Sequence, residues 1–231
     1  MKFWLSRLDA VAWLAALPAE SVDLIVTDPA YESLEKHRAV GTTTRLTGDW
    51  FDIFPNSRFP EFFRHLYRVM KRNTHGYLFC DQETAFIVKP MIEAAGFRFW
   101  KPLIWNKMKM GMGYHYRAQY EMILFFEKGK RKLNNLGISD VISVDRVRGQ
   151  YPTEKPVPVN ETLVTQSSQP GEIVIDPFMG SGSAGVAACM NQRLFMGSDI
   201  AQRAVDITRG RLEALGAVES TPSFAEVQVV L

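Results

Sequence analysis

An acidic residue, a proline and an aromatic residue stand together at the end of an apolar segment. The tetrapeptide Asp28-Pro29-Ala30-Tyr31 directly follows Val22–Thr27, whose composition indicates a buried strand. In open α/β sheets, ligands bind at the carboxyl ends of the strands. A carboxylate, a backbone carbonyl and a ring at one such point can accept hydrogen bonds from an NH2 group and stack on a flat molecule. The tetrapeptide therefore predicts a binding site for a planar molecule that carries an amino group.

A glycine-rich segment further along the chain predicts a second binding element. The apolar residues 173–175 lead into Asp176-Pro177-Phe178-Met179-Gly180-Ser181-Gly182, after which small residues begin a helix. Glycines allow a tight turn and a close approach of the backbone to a ligand, and a helix N-terminus favours an anion such as a carboxylate. Asp199 follows the next apolar run, where dinucleotide folds hold a ribose diol. Taken alone, the glycine loop is also compatible with a turn that binds nothing.

The two segments together resemble the DNA amino-methyltransferases that use S-adenosylmethionine. Members of that family carry a D/N/S-P-P-Y/F/W catalytic tetrapeptide and a D-P-F-x-G-S-G-[ST] cofactor loop. The catalytic tetrapeptide comes first here, as in the permuted order called β-class. Tyr151-Pro152-Thr153-Glu154-Lys155-Pro156 is similar to the family's H-P-T-E-K-P segment, and Asp9 to the acid of its Gly-Asp pair. The resemblance covers residues 5–215, and it implies a DNA substrate and S-adenosylmethionine as cofactor.

The resemblance implies that the tetrapeptide binds the base whose amino group is methylated. The Asp28 carboxylate and the Pro29 carbonyl would accept the two N–H groups of the amine, and Tyr31 would stack on the base. Taken in isolation, Asp28 could instead cap a helix or turn, and Tyr31 could be a partly buried core residue. Ala30 stands where the family has a second proline, which keeps the Pro29 acceptor but loosens the turn.

The resemblance also implies the cofactor residues. Asp9 would face the cofactor adenine, and Thr153 and Lys155 would approach the methionine carboxylate. A solvent-exposed lysine is the simpler interpretation of Lys155. The remaining residues would surround the methionine part or take the ribose hydroxyls, and they are Asp176, Phe178, Gly180, Ser181, Gly182 and Asp199.

The expected activity is transfer of a methyl group to N6 of a flipped-out adenine in double-stranded DNA, as in restriction-modification systems. Aspartate at position 28 favours adenine, because serine there tends to accompany cytosine N4 in this family. Methylation of cytosine N4 or of adenine in RNA remains an alternative. A third possibility is a catalytically weak nucleic-acid-binding protein, because Ala30 departs from the family motif.

Basic residues are concentrated in two parts of the chain, although the net charge is only +2. Residues 98–117 and 128–148 are both rich in lysine and arginine, and they flank an aromatic stretch. Such clusters can follow a phosphate backbone or can simply be solvated faces. The candidates for nucleic-acid contact are Lys107, Lys109, Tyr114, Tyr116, Arg117, Lys130 and Arg131.

The composition indicates one α/β domain. The 231 residues, of which 46% are hydrophobic, can bury a substantial core. The two cysteines, Cys80 and Cys189, have neither metal-ligand nor disulfide-framework spacing, which indicates a reducing cytoplasm. We find no signal-peptide pattern and no apolar run that could span a membrane. The resemblance also implies a homodimer, because the permuted group is often dimeric, and the apolar side of residues 59–72 could serve either a core or an interface.

The hydrophobic pattern places the candidate residues at strand ends of a Rossmann-like methyltransferase domain. We predict one mostly parallel, twisted sheet with helices on both faces. Residues 1–215 would form the domain, with a target-base half at about 1–127, a basic segment at 128–150 and a cofactor half at 151–215; residues 216–231 would be a tail. The predicted helices are 9–17, 59–72, 83–95, 158–168, 183–191 and 200–215; the predicted strands are 22–27, 77–80, 97–105, 120–126, 172–175 and 193–197. Residues 32–58 would form a long loop over the target base, or a disordered one.

Overall fold

Nine strands form one continuous sheet in the part of the chain that the structure describes. This computed structural model describes residues 1–34, 52–111, 115–147, 151 and 153–220. The strands are β1 (Lys2–Ser6), β2 (Val22–Thr27), β3 (Met70–Cys80), β4 (Arg98–Asn106), β5 (Tyr120–Lys128), β6 (Val141–Ser143), β7 (Ile173–Asp176), β8 (Leu194–Ser198) and β9 (Val218–Glu219).

The strand order is β6-β4-β5-β3-β2-β7-β8-β1-β9, and only β5 runs antiparallel to its neighbours. The chain reverses direction across the sheet at β2, which pairs with β3 on one side and with the much later β7 on the other. A crevice opens where the connections that follow two neighbouring parallel strands run to opposite sides of the sheet, and ligands bind there. The carboxyl ends of β2 and β7 meet at this point.

Six α-helices cover the two faces of the sheet within the described residues. They are α1 (Ala10–Ala16), α2 (Phe59–Val69), α3 (Gln82–Ala94), α4 (Val157–Ser167), α5 (Ser183–Met190) and α6 (Gln202–Glu213). Residues of α1, α2 and α3 belong to one hydrophobic core and residues of α4, α5 and α6 to the other. The predicted fold class and the six predicted helices are therefore confirmed.

Strand β2 shows why the sheet is covered on both sides. Ile25 packs into the core under α1, α2 and α3, whereas Leu24 and Val26 pack into the core under α4, α5 and α6. Successive side chains of a strand point to opposite faces, so a strand buried on both faces is mostly apolar. The apolar side of α2 is fully buried in the first core, which assigns it to the core and leaves it unavailable as a dimer interface.

The structure differs from the sequence prediction at several strands. The helix predicted for residues 59–72 ends at Val69, and β3 begins at Met70, earlier than residue 77. Strands β1, β6 and β9 were not predicted. The two outermost strands, β6 and β9, are too short to carry an alternating pattern, and each forms because the edge of a neighbouring strand offers hydrogen-bonding groups. No described helix has the length and apolar character needed to cross a membrane.

Two parts of the prediction fall wholly or partly beyond the described residues. Most of the predicted loop at 32–58, namely residues 35–51, is outside the described residues. Residues 221–231 of the predicted tail are outside them as well. At the end of that loop, residues 52–55 and a short 3-10 helix at Asn56–Arg58 are described, and we call residues 52–58 the strap.

Candidate active site

A cleft of about 1210 Å³ opens at the switch point between β2 and β7. Asp28, Pro29 and Tyr31 line it at the end of β2, and most of the predicted cofactor residues line it as well: Asp9, Thr153, Lys155, Asp176, Phe178, Gly180, Ser181 and Asp199. Ligand sites in proteins typically occupy about 300–1000 Å³. The cleft is therefore large enough for a nucleoside-sized cofactor and a second planar molecule together.

Gly182 is the one predicted cofactor residue that does not line the cleft. Its φ angle is 75°, in the left-handed region, and a Cβ there would lie 2.6 Å from the Thr208 side chain of α6. Glycine at this position therefore allows the loop to turn and α6 to pack closely behind it.

Asp28 lies in a row of four alternating charges. Its Oδ2 accepts a hydrogen bond from the Lys155 ammonium at 2.5 Å, and the same ammonium lies 3.0 Å from Oε1 of Glu121. The other carboxylate oxygen of Glu121 lies 2.8 Å from the Lys107 ammonium. These side chains come from four separate segments: the end of β2, the segment before α4, the start of β5 and the residue after β4. They meet because all four segments end or begin at one edge of the sheet.

Burial and neighbouring charges act in opposition on these groups. Burial raises the pKa of Asp28 above the ordinary aspartate value, although the positive charge of Lys155 acts to lower it. Burial would raise the pKa of Glu121 too, but Lys155 and Lys107 outweigh it and hold that pKa below its usual range. The pKa of Lys155 is raised in spite of burial, because Asp28 and Glu121 both favour its charged form. Lys155 is therefore a buried ammonium between two carboxylates and not the solvent-exposed lysine of the simpler interpretation.

The strap holds the tetrapeptide from the side. The Phe54 backbone N–H donates to the Ala30 carbonyl at 2.7 Å, and Phe54 forms a β-bridge with Tyr31. The Glu32 carboxylate accepts from the backbone N–H of Asn56 at 2.6 Å and from its side-chain amide at 3.0 Å. Tyr31 is partly buried against the core beside α2. Backbone pairing thus constrains the turn that the absent second proline would otherwise have stiffened.

Two carboxylates organise the cofactor side of the cleft. Oδ1 of Asp176 accepts both from the Thr27 hydroxyl at 2.8 Å and from the Phe178 N–H at 3.0 Å. Burial raises the pKa of Asp176 to about 7. Asp199 accepts from the N–H groups of Gly180 at 3.0 Å and Ala201 at 2.9 Å, and burial raises its pKa as well. The two acids therefore hold the glycine loop and the approach to α6.

The Asp9 carboxylate accepts hydrogen bonds that the sequence did not indicate. Its Oδ1 accepts from the backbone N–H groups of Val11 at 3.1 Å and Ala12 at 3.2 Å, and so caps α1. Both carboxylate oxygens also accept from the Arg58 guanidinium, each at 2.7 Å. The contact with a cofactor adenine that the resemblance implies would have to compete with this bidentate pair.

The basic candidates lie at opposite ends of the strands: some are at the end where the cleft opens, and others are at the far end. Lys107 and Lys109 line the cleft, together with Arg146 of the second basic cluster. Tyr116 and Arg117 follow in the exposed connection between β4 and β5, on the same edge. Tyr114 lies outside the described residues.

Lys130 and Arg131 lie beyond the other end of β5, away from the cleft. Because β5 is antiparallel to β3, its end at Lys128 pairs with Thr74 near the start of β3, whereas Met122 pairs with Cys80 at the cleft edge. Arg131 also forms a two-point ion pair with Glu172, with contacts of 3.3 and 2.9 Å. Neither residue can contact a ligand that is held in the cleft.

Three residues that the sequence analysis missed belong to the site: Phe54, Arg58 and Glu121. Glu121 carried a signal that could have been used, because it is the single acid at the start of an otherwise apolar strand, Tyr120–Phe126. An acid at the beginning of a buried strand needs a partner when it is buried. Phe54 and Arg58 carried no comparable local signal, since their contacts are with residues distant in the chain.

The fold and the site define a protein of the Rossmann-like methyltransferase class. More particularly, the chain belongs to the N6/N4 DNA methylase family, which matches residues 22–147 and 132–210. S-adenosylmethionine is the methyl donor of this family, so the predicted cofactor is confirmed. The cleft fits such a cationic molecule, because the carboxyls of Asp176 and Asp199 line it and Tyr151 packs beside Gly180 at the glycine loop.

Known proteins of similar sequence are DNA methyltransferases. The chain is 26% identical to the type II methyltransferase M2.DpnII of Streptococcus pneumoniae, over 92% of this chain and 90% of that protein. It is also 26% identical to the DNA adenine methyltransferase YhdJ of Escherichia coli K12, over 89% of this chain and 81% of that protein.

Solved structures of the same fold include a complex with the methyl donor and a cytosine-specific relative. The complex of M1.HpyAVI with S-adenosylmethionine superposes with a TM-score of 0.70 at 22% identity, covering 91% of this chain and all of that one. The cytosine-N4-specific PvuII DNA methyltransferase superposes with a TM-score of 0.74 at 14% identity, covering 99% of this chain and 90% of that one. At these identities, the likeness establishes the fold alone.

Proposed function

We propose that this protein transfers a methyl group from S-adenosylmethionine to N6 of adenine in double-stranded DNA. The observation that carries the proposal is the position of Asp28, Pro29 and Tyr31 in one cleft with the glycine loop. An aspartate at the first position of the tetrapeptide favours adenine over cytosine. The family itself includes both chemistries, so the choice of base is the finer part of the proposal.

The target amine is activated by two hydrogen-bond acceptors. An exocyclic amine is a weak nucleophile, because its lone pair is delocalised into the aromatic ring. The Asp28 carboxylate and the Pro29 carbonyl would each accept one N–H, which favours a pyramidal nitrogen. These hydrogen bonds strengthen as positive charge develops on the nitrogen, and so they stabilise the transition state more than the ground state. No base is needed before attack, because the neutral amine displaces the thioether from the methyl group and the resulting acidic ammonium afterwards loses its proton to water.

Lys155 leaves one oxygen of Asp28 for this role. The lysine donates to Oδ2, which both orients the carboxylate and favours its ionised form. An ammonium has three N–H donors, and one of them is directed at Asp28, while Glu121 lies 3.0 Å away as an ion-pair partner. A remaining N–H would donate to the methionine carboxylate, in the role that the resemblance implies for Lys155, with Thr153 beside it.

The cofactor supplies an electrophilic sulfonium methyl group when it is bound. Asp176 and the loop from Phe178 to Ser181 would surround the methionine part, and Asp199 would accept from the ribose hydroxyls. Asp9, held by Arg58, would lie nearest the adenine. Alignment of the two reactants by these residues provides much of the rate.

A base inside a duplex cannot reach the bottom of this cleft, so the target adenine would be flipped out. Tyr31 would stack on the extruded base, an interaction worth about 1–3 kcal/mol in other stacked complexes. Lys109 and Arg146 line the cleft, and Tyr116 and Arg117 follow on the same edge, where they would contact the phosphates and the neighbouring bases. We place the enzyme in the cytoplasm, which is consistent with its free, buried cysteines.

Nucleoside mass spectrometry tests the proposal directly. Unmethylated genomic DNA is incubated with the protein and S-adenosylmethionine, and the digest is analysed for modified nucleosides. The matched control is Asp28→Asn, which keeps the shape of the side chain and removes its charge. N6-methyladenine that is absent in the control supports the proposal.

The other outcomes each contradict a stated part of the proposal. N4-methylcytosine would keep the chemistry and overturn the choice of base. Modification of adenine in RNA alone would overturn the DNA substrate. A wild-type protein that binds S-adenosylmethionine and nucleic acid but modifies neither would be a binding protein, the alternative that Ala30 raised.

A further inference from the structure

Glu121 is a buried acid that the proposed reaction does not use. Its side chain is 8% exposed and lies at the start of β5, on the sheet face covered by α4. Its two oxygens face different lysines, with Lys155 3.0 Å from Oε1 and Lys107 2.8 Å from Oε2. A buried carboxylate is costly unless it is paired, so Glu121 is maintained by these two ammonium groups.

The row Asp28, Lys155, Glu121, Lys107 has no net charge when all four groups are ionised. Removal of Glu121 would leave one excess positive charge beside the target amine. That amine gains positive charge as it attacks a methyl group that is itself part of a cation. An uncompensated ammonium at this point would therefore oppose the reaction.

Glu121 also determines where Lys155 lies. With carboxylates on two sides, the ammonium bridges the end of β2 and the start of β5, and its 2.5 Å hydrogen bond to Asp28 is directed at Oδ2. Without Glu121, the lysine has one carboxylate partner and is free to approach either oxygen of Asp28. Lys155 and the target amine would then compete for the same oxygen of Asp28.

We propose that Glu121 is a positioning residue for the target-amine site, acting on Asp28 through Lys155. It keeps one oxygen of Asp28 available to the amine and keeps the site from becoming positively charged. The inference deepens the proposed function and rests on it for its catalytic consequence, whereas the effect on Asp28 is a property of the protein alone.

In the part of the chain that the structure describes, the titratable groups that interact electrostatically with Asp28 come from several elements. They are Tyr31, Cys80, Lys107, Glu121, Tyr151, Lys155 and Asp176. Burial raises the pKa of both tyrosines and of the cysteine, so these three stay neutral at neutral pH. The negative charge of Glu121 raises the pKa of Asp28, and the positive charge of Lys107 lowers it. Loss of one or the other therefore has opposite effects on Asp28.

The first experiment is a titration of the Asp28 carboxyl by carbon-13 NMR in the protein without cofactor, with Asp28→Asn to assign the signal. The variants are Glu121→Gln, Lys107→Gln and the control Glu127→Gln. Glu127 is also a buried acid of β5 on the same sheet face, but it lies at the opposite end of the strand, where it accepts from the backbone N–H of Arg131. We expect Glu121→Gln to lower the pKa of Asp28, Lys107→Gln to raise it, and Glu127→Gln to leave it unchanged.

The second experiment is steady-state kinetics on the same variants. Glu121→Gln is expected to lower kcat about 10–100-fold, as loss of a residue that orients an active-site group commonly does. Because Glu121 raises the pKa of Asp28, the acid limb of the pH–rate profile should move to lower pH in this variant. Glu121→Asp, which retains the charge, should restore part of kcat.

Two results would overturn the inference: an unchanged Asp28 titration in Glu121→Gln, or an equal shift in Glu127→Gln. If Glu121→Gln does not fold, Glu121→Asp replaces it: a shorter side chain should weaken the contact with Lys155 and lower kcat, and an unchanged kcat would overturn the inference. A wild-type protein that methylates no DNA would reject the proposed function, while the titrations would still decide whether Glu121 controls Asp28.

Discussion

The backbone N–H of Phe54 donates to the carbonyl of Ala30 at 2.7 Å, so the strap replaces part of the rigidity that a second proline would give the tetrapeptide. The Tyr31–Phe54 bridge and the Glu32–Asn56 hydrogen bonds extend this pairing. Because the strap restrains the turn at residues 28–31, the turn depends less on the rigidity of its own residues. The departure from the family motif at Ala30 is therefore compatible with full activity.

Ala30→Pro tests this directly. Because the strap already constrains the turn, we expect kcat to change by less than about threefold. The measurement is the initial rate of methyl transfer from labelled S-adenosylmethionine at saturating DNA. A gain of about tenfold or more would show that Ala30 weakens the enzyme and would favour the alternative of a binding protein.

Asp28→Asn should remove most of the activity while leaving the cofactor site intact. The amide presents one acceptor in place of a carboxylate and carries no charge to stabilise the developing cation, so we expect kcat to fall by about 100-fold or more. Calorimetric titration with S-adenosylmethionine should give a Kd within a few-fold of wild type. A loss of both properties together would place Asp28 in the cofactor site instead.

The activity should depend on pH through Asp28. Its pKa is raised by burial, and the ionised form is the one that accepts from the amine, so activity is lost as the pH falls through the raised pKa and recovers above it. A profile of kcat/KM from about pH 5 to about pH 9 should show an acid limb above the ordinary aspartate value of about 3.9. A profile that stays flat down to about pH 5 would contradict a buried catalytic carboxylate.

Asp176→Asn should stabilise the protein and weaken cofactor binding. Folding raises the pKa of the Asp176 carboxyl to about 7. The folded protein therefore loses stability as the pH rises from the ordinary aspartate pKa to this raised pKa. Both hydrogen bonds to Asp176 end on Oδ1, so the amide oxygen can accept both without the buried charge. We expect Tm at alkaline pH to rise by about 2–4 °C.

In the same variant, the Kd for S-adenosylmethionine should increase about tenfold, because a charged partner of the cationic cofactor is removed. The rise in Tm should shrink at acidic pH, where wild-type Asp176 is already protonated. Thermal denaturation at two pH values and calorimetry separate the two effects. A destabilised variant at alkaline pH would contradict the raised pKa.

The two edges of the sheet should differ in their contribution to DNA binding. Lys109 lines the cleft with a side chain that is 77% exposed, whereas Lys130 is an exposed lysine on the opposite edge. Lys109→Ala should weaken DNA binding and make the slope of log K against log salt shallower by about one, the value for a single neutralised phosphate. Lys130→Ala is the control, and an equal effect of both would contradict the assignment of the DNA surface to the cleft edge.

The sequence alone determined those features that depend on residues close together in the chain. The Asp28 tetrapeptide, the glycine loop after β7 and the six helices are each encoded within a few turns or one strand, where periodicity and turn chemistry act locally. The parallel sheet followed from the same patterns. The short strands β6 and β9 did not, because their pairing depends on a neighbour's free edge rather than on their own residues.

The tertiary structure alone decided which charges meet. Lys155 reaches Asp28 across a separation of 127 residues, and Arg58 reaches Asp9 across 49. Lys130 and Arg131 are separated from the cleft by the antiparallel direction of β5, which no local pattern encodes. The strand order brings distant strand ends to one edge of the sheet, and burial there makes each charge depend on its neighbours. The sequence therefore identified the groups to which the proposed chemistry is assigned, and the sheet topology determined their partners.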